Sequence, residues 1–217
     1  MTSTPSRWRL PAALTALTLV PALAGISRLV QLGGAGNVTP ENARFFAAPL
    51  PVVLHIPAAI IFGMLGAFQF SADFRRRHRV WHRTAGRLLV ACSLVVATTG
   101  LWMTLTYRWP RGDGIVVFAE RLTFGIAMLL SVVLGVDAIR HRNFAAHGEW
   151  MIRAYAIGMG AGTQVLTHLP WFLFIDTAPG EGPRAVMMGL GWVLNVAVAE
   201  CVIRRPKRGV RAALAAV

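Results

Sequence analysis

Val52–Leu65 reads VVLHIPAAIIFGML, a run whose one titratable side chain is His55. Ile126–Val136, IAMLLSVVLGV, has none. Both runs are nearly continuous in apolar and small residues. A membrane-barrel strand instead alternates apolar and polar positions over about ten residues. In a medium without water the backbone must pair within its own segment or in a closed barrel, so these runs predict helices. A hydrocarbon core about 30 Å thick needs about 20 apolar residues per helix. Working outward, six stretches meet that length: Leu10–Leu32, Leu50–Phe70, Arg87–Thr106, Ile115–Ala138, Trp150–Phe174 and Arg184–Ile203. The expected fold is all-α, an integral membrane bundle of six transmembrane helices forming a single domain over residues 1–217.

Composition agrees. Hydrophobic residues make up 55% of the 217 and charged ones 14%, against about 25% charged in soluble domains. Too little polar material exists to coat a water-soluble globule. The net charge of +13 would suit a nucleic-acid binder, but the basic residues lie between apolar runs and not along one soluble face. The expected partner is therefore the lipid bilayer, with no nucleic acid.

Arginine placement predicts the orientation. Arg7, Arg9, Arg75, Arg76, Arg77, Arg79, Arg83, Arg87, Arg140, Arg142, Arg153, Arg204, Arg205, Lys207, Arg208 and Arg211 fall on one side. Arg28, Arg44, Arg108, Arg111 and Arg184 fall on the other, and Arg121 lies within a span. The first side reads as cytoplasmic, which puts both termini there. Arginine and alanine richness points to a bacterial source, hence to the inner membrane. A rival reading of the first span is a signal peptide, with Arg7 and Arg9, an apolar run and Ala22-Leu23-Ala24 as a small-residue cleavage site. The apolar run's continuation to Leu32 favours a span.

Polar side chains inside a bilayer need a partner or a role. His55 and His168 fall at similar depth from the non-cytoplasmic side, and each is followed two positions later by proline, Pro57 and Pro170. Pro170 is expected to bend or end its helix. Two such imidazoles can bind a metal or a haem iron axially, so His55 and His168 are candidate ligands of a haem b. His82 and His147, each entering a span beside arginines, form a second candidate pair near the cytoplasmic face. Separate structural histidines are the alternative in both cases. Two pairs would make an electron path to a quinone or a periplasmic electron-transfer partner.

Glu120, Arg121, Gln164 and His168 offer a different reading, a polar site within the bundle of a small-solute or proton-coupled transporter. Neighbours on a helix point apart, so Glu120 and Arg121 are expected to pair with other helices. Asp137 and Glu200 are near water or arginine. Gln69, Gln164 and Asn195 are candidates for bonding between helices, and Gly63, Gly66, Gly158 and Gly162 for close helix approach. Cys92 and Cys201 match no redox or metal spacing and read as packing residues. A third reading is a non-catalytic scaffold whose basic loops attract anionic lipid, at about 1 kcal/mol per arginine near the surface.

Two local patterns carry a resemblance. His82-Arg83-Thr84-Ala85-Gly86-Arg87 enters a span after one ending at Gln69, and His147-Gly148-Glu149-Trp150-Met151-Ile152-Arg153 enters another. Over about residues 55–164 they resemble a bacterial multi-span membrane-protein family, domain of unknown function 2306. The resemblance implies a multi-span helical fold and a shared cytoplasmic-face feature, with no particular activity. A looser similarity is to b561-like membrane cytochromes, which implies paired histidines holding b haems near each face. Here His147 and His168 are 21 residues apart, about 31 Å along a helix, which leaves the inner site at the membrane boundary.

Overall fold

The structure is a computed structural model that describes residues 8–205; Arg7, Lys207, Arg208, Arg211 and both chain ends lie outside the described residues. Nine α-helices follow one another and no strand occurs among the described residues: α1 (Arg9–Val30), α2 (Ala43–Ala47), α3 (Pro49–Gln69), α4 (Ala72–Arg77), α5 (Arg79–Thr106), α6 (Ile115–Arg140), α7 (Phe144–Gly158), α8 (Gly160–Phe174) and α9 (Glu181–Ile203). Five of the helical stretches are long and apolar enough to cross a membrane: Arg9–Gly34, Pro49–Gln69, Arg79–Thr106, Ile115–Arg140 and Glu181–Ile203. Their outward faces carry large apolar side chains at mid-helix. Leu130, Val133 and Val198 are 53%, 50% and 63% exposed, which suits hydrocarbon and not water around the bundle.

The third span starts earlier than expected. α5 runs from Arg79, so His82 lies inside it and not before it. Arg79, Arg83 and Arg87 can occupy its first turns because long arginine side chains reach out to the interface.

The larger correction concerns Trp150–Phe174, expected as one span. The chain breaks there at Met159 into α7 and α8 of 15 residues each. Each segment rises about 22 Å, short of a hydrocarbon core. Met159 keeps a helical φ of −75° but its ψ opens to −1°. Glycines on both sides, Gly158 and Gly160, weaken the helix locally. The indole of Trp192 on α9 lies where a Gly160 side chain would begin. Asn195 on α9 donates to Ala156 O at 3.1 Å and accepts from Thr163 Oγ1 at 2.8 Å. One side chain thus ties both segments to α9. Such breaks survive in membranes where neighbours satisfy the backbone. Pro170, by contrast, sits inside α8, which continues to Phe174.

Glycine also sets the packing of α1, α3 and α7. Gly63 faces Thr18, and Gly66 faces the ring of Tyr155. Tyr155 is 5% exposed and its hydroxyl donates to Gly63 O at 2.7 Å. Gly162 lets α8 approach the backbone oxygen of Leu17 on α1. These contacts bring the core of Phe62, Leu89, Val96, Met128 and Ile157 together at the centre of the bundle.

Candidate functional site

The end of the bundle away from the arginine-rich loops holds a cavity of about 340 Å³. His55 of α3 reaches it one to two turns below Pro49, Arg121 of α6 a similar distance below Ile115, and Gln164 from α8. Gly158, beside the helix break, lines it as well. Its floor is Val96, Met128 and Ile157, and one wall is the ring of Phe124 stacked on Trp192 at 4.9 Å. Three of the polar residues singled out from sequence therefore share one space, and that space adjoins the break between α7 and α8.

His55 Nδ1 lies 2.9 Å from Thr99 Oγ1. The Thr99 hydroxyl donates its proton to Val95 O at 2.5 Å. The same hydroxyl thus lies between the Val95 carbonyl and the imidazole, and the His55 tautomer sets which way the pair is bonded. The sequence offered no signal for Thr99, which is one of several threonines in α5.

At the mouth, Asp113 is the organising carboxylate. It is buried, in the connection between α5 and α6, and each oxygen faces one arginine: Oδ1 accepts from Arg184 Nε at 2.5 Å, and Oδ2 lies 2.5 Å from Arg121 as an ion pair without hydrogen-bond geometry. Arg121 thus pairs with a loop residue and not with a carboxylate on another helix. Gly112, at φ 79°, packs against Pro179 O and brings the α5–α6 connection onto the one before α9. Arg44 on α2 and Arg108 complete the rim. Arg28 and Arg44 both stack over the Phe45 ring at 4.6 Å. Partial burial lowers the Arg44 pKa below the usual guanidinium range; Asp113 opposes that, and Arg121, Arg28 and Arg184 add to it. Asp113, Arg44 and Arg108 were not found from sequence, because they lie just outside the spans where polar residues stand out.

Glu120 is elsewhere. It packs against Gly189 of α9 outside the cavity lining, and its Oε2 is buried with no hydrogen-bond partner among the described residues. His168 also lies outside the lining: its Nδ1 bonds Gln164 O at 2.7 Å and its ring stacks on Phe172. A haem b held axially by His55 and His168 needs both rings on one cavity, and only His55 is there. The two residues do not fit that group.

With the five apolar spans and this geometry in view, the comparisons with known proteins bear on the whole. The profile of a family described as "Predicted membrane protein (DUF2306)" matches residues 52–203. The chain belongs to that family. No curated protein and no solved structure matches it, so the similarity to b561-like cytochromes gains no support. The DUF2306 match extends beyond the stretch that carried the resemblance, to the end of α9.

The two DUF2306-like motifs meet at the arginine-rich end. His82 on α5 and His147 on α7 are near enough for their charges to interact, with Arg75 close by. His147 Nδ1 bonds Gly135 O at 2.8 Å, whereas His82 Nδ1 and Gln69 Nε2 are buried with no hydrogen-bond partner among the described residues. Neither His82 nor His147 lines the cavity. Arg153 is bound to Glu200 of α9, Nε to Oε1 at 2.6 Å, and stacks over Trp150 at 4.6 Å. These motif residues lock α7 to α6 and α9.

Proposed function

We propose that the protein is a six-span carrier or solute-binding protein of the bacterial inner membrane. Both chain ends lie in the cytoplasm, α7 and α8 together make one broken span, and the cavity opens toward the periplasm. One observation carries this reading. His55, Arg121 and Gln164, from three separate helices, converge on a cavity beside an interrupted helix. Membrane carriers commonly place solute sites where spans are broken, because unwound backbone is tolerated only at a lined cavity or within protein. The excess of arginines at the opposite end supports the orientation.

The test is thiol accessibility in intact cells. Cys92→Ser and Cys201→Ser remove the native thiols, and Thr104→Cys places one on the cavity wall. A membrane-impermeant maleimide added outside is expected to label it. A thiol reachable from the cytoplasmic side alone would reverse the orientation, and one reachable from neither would remove the open cavity.

A further inference from the structure

We infer that the solute is an amphipathic anion, with a carboxylate or phosphate head on a compact apolar body. This rests on the carrier reading and narrows it. Among the described residues the cavity lining includes Arg44, Arg108 and Arg121 and no Asp or Glu. Asp113, the carboxylate at the mouth, has both oxygens committed to Arg121 and Arg184. Arg44 and Arg108 have no acidic partner within ion-pair distance among the described residues. Several guanidinium groups therefore crowd one carboxylate at the edge of a low-dielectric bundle, where like charges repel over long range. A bound anion relieves that crowding. Arginine suits it, since its planar fork matches carboxylate and phosphate oxygens.

Below the rim the chemistry changes. Val96, Met128 and Ile157 present an apolar floor, and the stacked Phe124 and Trp192 rings an apolar wall. A small hydrated anion leaves that floor dry and unfilled, and a neutral apolar molecule leaves the arginines unpaired. Only a ligand with both parts satisfies both ends of the space. Its size is modest, because the volume is near the lower limit of ordinary ligand sites, about 300–1,000 Å³.

The experiment titrates the purified full chain, in nanodiscs of zwitterionic phosphatidylcholine, and reads tryptophan fluorescence, since Trp109 and Trp192 line the cavity. Decanoate and decyl phosphate are expected to saturate the signal, and the tighter of the two identifies the head group. Decanol, decyltrimethylammonium and acetate are expected to bind at least about tenfold more weakly. The Arg44→Gln/Arg108→Gln variant is expected to lose at least about tenfold in decanoate affinity while its thermal unfolding is kept. Decanoate is also expected to protect the Thr104→Cys thiol from maleimide. Decanol binding as tightly as decanoate, or unchanged affinity in the double variant, overturns the anionic ligand. If the thiol labels from outside and no decyl anion protects it, the ligand class falls while the carrier reading stands. A thiol reachable from neither side fells both.

Discussion

At the arginine-rich end, aromatic rings pack between the helices beside a smaller pocket of about 100 Å³. Phe68, Phe74 and Trp81 pack with centroids 4.8–6.2 Å apart, and Phe70 lies on Tyr155 at 4.8 Å. At the other end an ion triad of Asp113, Arg121 and Arg184 holds the loops, and a cavity remains open beneath it. The first end is held by ring packing and the second is braced by charge. Bracing by charge leaves space for a ligand because it fixes backbone positions from the rim without filling the interior. It also makes that end depend on a few groups, whereas aromatic packing spreads its contribution over many contacts.

The comparison is broken most directly at Asp113. Asp113→Ala leaves Arg121 and Arg184 partly buried and unpaired, and is expected to cost about 3–5 kcal/mol. Thermal unfolding in detergent, followed by helicity, measures it. A loss below about 1 kcal/mol, as for an exposed pair, would mean that the triad does not hold this end.

Gly160→Ala comes next. The added carbon meets the Trp192 indole, and overpacking of this kind costs about 1–3 kcal/mol. Gly148→Ala is the control, since nothing lies within 4 Å of its added carbon. Equal stability of the two variants would show that α9 does not press on the break. At the ring-packed end, Tyr155→Phe removes the bond to Gly63 O and is expected to cost about 1 kcal/mol. Decanoate affinity should be unchanged, and a change would join the two ends that the comparison separates.

The sequence showed the spans well because their signal is one of length and apolar content, which needs no knowledge of neighbours. Leu50–Phe70 matches α3 within a residue at each end. The break at Met159 was less legible. Gly158-Met159-Gly160 also fits a close helix crossing, and what distinguishes a break is the placing of Trp192 and Asn195 by another helix. The same limit applied to the site. His55, Arg121 and Gln164 stand out as polar residues in hydrocarbon, and they do converge. His168 and Glu120 stand out equally and face elsewhere, because spacing along one helix does not say which neighbour it turns toward. Asp113 carried no signal at all: an aspartate between spans is ordinary until its two arginines are seen.

The smallest expected effect tests what makes the break. Asn195 donates to Ala156 O on α7 and accepts from Thr163 on α8, so it acts on both segments at once. Asn195→Ala and Thr163→Val, singly and together, form a double-mutant cycle whose coupling term isolates the Asn195–Thr163 bond. Polar bonds between membrane helices average about 0.6 kcal/mol by this measure, and a value near that is expected here. A coupling of zero, with Gly160→Ala still costly, would assign the break to the Gly158-Met159-Gly160 backbone and the Trp192 ring. A coupling well above the average would instead make Asn195 the principal tie between the segments. In that case Asn195→Ala should also shift decanoate affinity, because Gly158, Gln164 and Trp192, all on the cavity wall, would lose their common anchor.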